Sequence, residues 1–225
     1  MAAMTSSLTA LWPMYRSLVG LGVICTVCIV AVVMVTTPAI KQNQQDAMHR
    51  AIFAVLPGTT TIGAFTYDSG ADAFSTVVQG GAGSTLYVGY DPQGQLVGVA
   101  IAAEGQGYQD KIKIIYGYSP DKQTVIGMRV IESRETPGLG DRIETDSAFQ
   151  ANFIALDVRL NAQGNDLVHP VELVKSGQKT KAWQIDGITG ATISSQAITD
   201  MIAHSVSTWL PRVRDHIAQL EQPHG

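Results

Sequence analysis

The strongest constraint on this chain is a stretch near its N-terminus that carries no charge. From Ser17 through Ile40 there is no Asp, Glu, Lys or Arg, and Leu18 to Val35 is almost wholly apolar, with Thr26 as the main polar interruption. A helix that crosses a bilayer needs roughly 20 residues at about 1.5 Å rise each. The run reaches that length if Leu11 to Tyr15, or Thr36 and Thr37, contribute at the interface. Trp12 and Tyr15 suit a headgroup belt, and Pro38 is the expected stop. A buried core helix rarely runs this long without a charge. A cleaved signal peptide has a shorter apolar region and then a small-x-small site, which Val35-Thr36-Thr37 matches poorly. The expectation is one uncleaved anchor. Arg16 and the terminal amine flank it on one side, and Lys41, His49 and Arg50, diluted by Asp46, on the other. The positive-inside rule therefore leaves the orientation open.

The chain has 225 residues. Beyond the anchor, roughly 185 remain, enough for one ordinary domain with a real core. The net charge of -4 and the lack of a Lys/Arg cluster argue against a nucleic-acid partner. The 22 glycines are dispersed, which reads as turns. Cys25 and Cys28 are the only cysteines and lie inside the apolar run. Their C-x-x-C spacing lacks the further ligands that zinc requires, so they read as small residues on a lipid-embedded helix. The rest of the chain, free of cysteine, suits an oxidising compartment and can hold neither a disulfide nor a cysteine-ligated iron–sulfur cluster.

The pattern beyond the anchor is mixed. Lys41 to Val55 reads as a helical stem, because Ala47, Met48, Ala51, Ile52 and Val55 recur at helical spacing and Pro57-Gly58 closes it. Thr59 to Gly83 is uneven, with short strands and a loop. Two strand pairs follow: Ser84–Tyr90 with Gln95–Ala103 around Asp91-Pro92-Gln93-Gly94, and Lys111–Tyr118 with Thr124–Ser133 around Ser119-Pro120-Asp121-Lys122. Gly105-Gln106-Gly107-Tyr108 lacks the context of a nucleotide loop and reads as a hairpin connection. Asp141 to Leu156 is a helix or an irregular docking segment, and Val171–Val174 and Ala182–Ile185 are short strand candidates. A final helix carries the stripe Ala197, Ile198, Met201, Ile202, Ser205, Val206, Trp209 and Leu210, with Ser194 or Ser195 as its cap and Pro211 ending or kinking it. The fold class is α+β: a single transmembrane helix, then a curved antiparallel sheet with packed helices.

Just before that helix lies Asp186-Gly187-Ile188-Thr189-Gly190-Ala191-Thr192. On local physics alone it is a turn before a capped helix. The segment resembles the D-x-x-[ST]-G-A-T flavinylation motif of FMN-binding domains of the RnfG/RsxG and NqrC type. Glu135-Thr136-Pro137-Gly138-Leu139-Gly140 matches the E-T-P-G-L-G segment of the same family, and the resemblance covers nearly the whole chain, most weakly over Thr59 to Gly83. It implies FMN attached through its phosphate to Thr192 by a flavin transferase. The length is closer to RnfG than to the longer NqrC.

The residues suit that chemistry. A threonine hydroxyl can be esterified by phosphate, and Gly190 and Ala191 add little bulk beside it. A helix N-terminus offers free N–H groups to an anion. Thr189, Ser194 and Ser195 can donate further hydrogen bonds. In the second segment Pro137 and Gly138 make a tight turn and Gly140 allows unusual dihedrals. The family likeness puts Thr136 at a ring edge and Leu139 over a ring face. Glu135 suits the loop's own backbone better, because a carboxylate disfavours a reduced, anionic flavin. Tyr108 and Tyr118 are candidates to flank the ring. No catalytic acid, base or nucleophile is expected, and the five histidines form no close pair, so no metal site is expected either.

The resemblance implies an electron-transfer subunit of a membrane complex that couples ferredoxin/NAD chemistry to sodium-ion or proton translocation, with the other Rnf-type membrane subunits as partners. It implies a single-pass protein of the cell inner membrane: 1–16 cytoplasmic, 17–37 transmembrane, 38–58 a stem, and 59–225 the periplasmic FMN-binding domain. Alternatives are the NqrC component of a sodium-pumping NADH:quinone reductase, or an anchored non-redox binding module.

Overall fold

The computed structural model describes residues 2–76 and 85–221. Ser84 and the end of the uneven 59–83 stretch lie outside the described residues. Contacts divide the chain into two compact units, 1–47 and 48–225. In the first there is one element, helix α1 (Ala2–Val55), whose last turns belong to the second. From Tyr15 on, α1 is long and apolar enough to cross a membrane, and the residues of its most apolar window are not buried in the protein. Cys25 and Cys28 are free and exposed on it. The helix runs through Pro38 without ending there, and through the expected boundary between anchor and stem. One proline removes a single ladder bond, and apolar helices tolerate that loss.

The second unit is built on a seven-stranded antiparallel sheet in the order β2-β1-β3-β4-β5-β6-β7. Its strands are β1 (Thr61–Asp68), β2 (Ala73–Thr76), β3 (Thr85–Tyr90), β4 (Leu96–Gln106), β5 (Lys111–Ser119), β6 (Thr124–Glu132) and β7 (Leu156–Asp157). Strands β3 to β6 are the two expected hairpins, joined by the β4–β5 turn in which Gly107 N donates to Asp110 O. Helices α2 (Arg142–Thr145) and α3 (Ser147–Ala151) follow β6. Strands β8 (Glu172–Val174) and β9 (Gln184–Asp186) form a separate parallel pair. The chain closes with α4 (Thr192–Asp215) and α5 (Ile217–Leu220).

The expectation of a curved sheet is not met. The sheet is open, neither curled nor closed, with β2 and β7 as its edges. The reason lies in how its faces are covered. Ile112, Ile114, Tyr116 and Tyr118 of β5 face the main core with Ile198, Ile202 and Val206 of α4. Ile115, pointing the other way, joins Ala100, Ile52, Val55 and Leu56 in a second core under the end of α1. A middle layer packed on both sides has no single core to wrap around.

Glycines clear the ground for α1. Gly117 and Gly127 are cross-strand partners, and so are Gly89 and Gly98. A Cβ on Gly117 would lie 2.2 Å from the Val55 carbonyl oxygen, and one on Gly98 would lie 3.0 Å from a Leu56 methyl. At the other end of the unit, Pro211 lies inside α4 without ending it, because Val213, one turn from Trp209 and Leu210, is still held in the core.

Candidate functional site

The site forms where α4 begins. Ala191 is the residue before the helix and Thr192 the first within it. The first intrahelical bond is Ser195 N to Ala191 O at 2.9 Å, so the N–H groups of Thr192, Ile193 and Ser194 have no partner inside the helix. No side chain caps them, against the expectation for Ser194 and Ser195. Both serines sit inside the first turn and are buried. Ser195 Oγ donates to Ala191 O at 2.9 Å and accepts from Ile188 N at 3.2 Å, which fixes the loop before the helix. Ser194 Oγ instead donates to Glu135 Oε2 at 2.5 Å.

That bond brings the two sequence segments together. A cleft of about 380 Å³ opens between them. Thr136, Leu139 and Gly140 form one wall, and Gly190, Ala191, Thr192 and Ser194 the other, with Tyr108, Glu135 and Ile193 completing it. Of the remaining expected residues, Ser195 is spent on the backbone. Thr189 lines a neighbouring cleft with Asp186 and Arg142, and its carbonyl accepts from Arg142 Nη1 at 3.1 Å. Tyr118 is buried in the core and does not reach the site. Burial pushes its hydroxyl up to about 12.

Local geometry explains the composition of both walls. Leu139 N donates to Thr136 O at 3.1 Å across Pro137-Gly138, and Gly138 has φ +77°. This is a turn whose third residue needs a positive φ. Gly140, expected to supply unusual dihedrals, supplies room: a Cβ there would lie 2.6 Å from Glu135 Oε2 and 3.0 Å from Ser194 Oγ. Gly190 has φ +87° and faces open space apart from a Leu139 methyl.

Glu135 serves the loop backbone, as expected. Its Oε1 accepts from Gln109 N at 3.0 Å. Burial pushes its carboxyl up, but hydrogen bonds from the Ser194 hydroxyl and from the amides of Gln109, Tyr108 and Asp110 outweigh that, and the net shift is downward. The sequence did not reveal that this carboxylate would also hold the start of α4.

Asp186 is similarly occupied. Its carboxylate accepts from Gly177 N at 2.9 Å and Gln178 N at 3.2 Å, while Asn152 binds its backbone N–H and C=O. Only the Arg142–Asp146 pair, at i and i+4, had a readable spacing among these supports.

The cleft fits a molecule with an anionic group and a flat apolar body. Its volume lies in the usual range for ligand sites. Unpaired N–H groups at the end of a long helix suit a phosphate. Tyr108, Leu139 and Ile193 are 67%, 52% and 56% exposed, an unusual gathering of bare apolar side chains around one opening.

Fold and site together define an FMN-binding domain, and residues 107–207 match the family of that description. Among relatives, the G subunit of the ion-translocating oxidoreductase complex of Methanosarcina acetivorans is 31% identical over 194 residues, 85% of this chain and 92% of that protein. The G subunit of Shewanella piezotolerans is 30% identical over 82% and 83%. Among solved structures, the C subunit of the Na(+)-translocating NADH-quinone reductase of Parabacteroides distasonis superposes with a TM-score of 0.58 at 19% identity, over 78% of this chain and 96% of that one. The last is a likeness of fold. The chain belongs to the family of G subunits of ion-translocating oxidoreductase complexes. It is a membrane-anchored electron-transfer component of a multi-subunit redox complex.

Proposed function

We propose that this chain is the flavin relay of an Rnf-type complex, holding FMN covalently through its phosphate on Thr192. One observation carries the reading: the acceptor segment and the Glu135–Gly140 segment form the two walls of one cleft, at a helix start with free N–H groups. Bound FMN supplies the redox chemistry. The chain's part is to hold and orient it. The amides of Thr192, Ile193 and Ser194 face the phosphate, and Thr136 and Leu139 flank the ring. Thr189 and Ser195 act from behind, by shaping the loop. A covalent bond prevents loss of the cofactor.

In this reading the redox partners are cofactors of neighbouring membrane subunits, and a flavin transferase acts during maturation. A G-subunit relative from Clostridium ljungdahlii, 26% identical over 180 residues, belongs to a proton-translocating ferredoxin:NAD(+) oxidoreductase complex. That supports ferredoxin and NAD as the ends of the electron path and ion movement as the coupled work. The isolated chain is then a relay without a complete catalytic activity. Residues 1–16 lie in the cytoplasm, 17–37 span the inner membrane, 38–58 form a stem, and 59–225 work in the periplasm.

The test is Thr192→Val, which removes the hydroxyl and nearly keeps the shape. Protein made together with a flavin transferase should carry FMN after denaturation, and the variant should carry none. A peptide adduct on Thr189, or no adduct on the unaltered chain, would overturn the proposal.

A further inference from the structure

Glu135 is a buried carboxylate that no cation balances among the described residues. It is 5% exposed, and among the described residues it has no ion-pair partner. Its carboxylate takes hydrogen bonds from two other segments: the amides of the β4–β5 turn on one side and the hydroxyl of Ser194 on α4 on the other. Those same segments line the cleft. Glycine is present at both places where the carboxylate needs room. A Cβ on Gly107 would lie 2.5 Å from Oε1, and one on Gly140 would lie 2.6 Å from Oε2.

We propose that Glu135 is the positioning residue of the flavin site, tying the β4–β5 turn and the start of α4 to its own segment and keeping a fixed negative charge beside the cleft that makes the flavin harder to reduce. The proposal rests on the reading of the cleft as the flavin site. The electrostatics follow from burial. A carboxylate held largely out of water is screened less than a surface one, so its charge is felt by whatever binds beside it. At neutral pH, reduction of a flavin adds more electrons than protons, and the ring gains negative charge. A nearby carboxylate opposes that gain. The hydrogen bonds from Ser194 and the turn amides outweigh burial and hold the Glu135 carboxyl below its ordinary value, so it is ionised at neutral pH.

The test uses the full chain in detergent, with covalent FMN, titrated by absorbance against dyes of known potential. Glu135→Gln keeps the shape and the acceptor oxygen but removes the charge. Its flavin should be easier to reduce by about tenfold in equilibrium constant, a rise of about 30 mV for a two-electron couple. Ser194→Ala keeps the charge and removes one donor, and should not raise the potential. An unchanged or lowered potential in Glu135→Gln, or an equal rise in Ser194→Ala, would refute the electrostatic role.

A second arm needs no flavin. In the unmodified chain, Glu135→Ala should speed amide hydrogen exchange about tenfold at residues 107–110 and at 195–198, where the first bonded amides of α4 lie, and Glu135→Gln much less. Unchanged protection in Glu135→Ala would refute the joining role. If the unaltered chain takes up no flavin, the proposed function fails, and the exchange arm still decides whether Glu135 joins the walls.

Discussion

Gly117→Ala should destabilise the protein although it adds one methyl group. Gly117 sits near the end of β5 under the last turn of α1, and its added Cβ would lie 2.2 Å from the Val55 carbonyl oxygen, 2.9 Å from the Val55 carbonyl carbon and 3.0 Å from a Leu56 methyl. A comfortable carbon–oxygen contact is about 3.3 Å or more, so the helix end and the strand must separate by about 1 Å. Both clashing groups at Val55 are backbone and cannot rotate away. Overpacking of this kind costs about 1–3 kcal/mol. Replacing glycine in a strand recovers about 0.5–1 kcal/mol of backbone entropy. The net loss is about 1–2 kcal/mol, or a fall in Tm of roughly 2–8 °C for a unit of this size. Gly127→Ala is the matched control: its Cβ would stand 3.1 Å from Val55 Cα, a contact relieved by a few tenths of an ångström. Thermal unfolding of the three proteins in the same detergent, followed by circular dichroism, measures the difference. A Gly117→Ala protein as stable as Gly127→Ala would refute the claim that α1 docks through the glycine track.

Two further outcomes follow from the site's polar contacts. Glu135, Asp146 and Asp157 all have carboxyls held below their ordinary values. Such groups add stability that is present above the ordinary carboxylate values and lost as pH falls through the lower folded ones. The melting temperature should therefore hold above about pH 5 and drop below about pH 4, with a shallower drop in Glu135→Gln. An equal acid slope in the two proteins would count against Glu135 as a contributor. Asp186→Ala removes the acceptor for Gly177 N and Gln178 N and should cost about 1–3 kcal/mol in a denaturant titration. Unchanged stability there would leave recognition by the transferase as the only role for this carboxylate.

Much of the fold was legible because its signals are local. The charge-free run, the alternation in β5 and β6, the turns at Asp91–Gly94 and Ser119–Lys122, and the stripe on α4 each follow from a few neighbouring residues. What failed depended on distant partners. The expected curvature of the sheet is the clearest case. The second core joins Ile52, Val55 and Leu56 to Ala100 of β4 and Ile115 of β5, more than forty positions away. Pro38, expected to stop its helix, and Pro211, expected to end or kink its own, both lie inside helices, since burial or an apolar setting outweighs one missing bond.

The site divides in the same way. Its two walls were readable as short motifs, but the roles of residues within them were not. Ser194 and Ser195 look like caps because both follow a Gly-Ala-Thr turn. The helix starts three to four residues earlier than that reading requires, and this turns both hydroxyls inward. Gly140 looks like a dihedral hinge, yet what requires glycine there is a carboxylate five residues back. Glu135 is the common cause. Once its side chain turns into the cleft floor, it needs the β4–β5 amides for one oxygen and a hydroxyl from α4 for the other. It also excludes a side chain at Gly107 and Gly140. The wall residues that look independent in sequence are therefore fitted around a single buried charge.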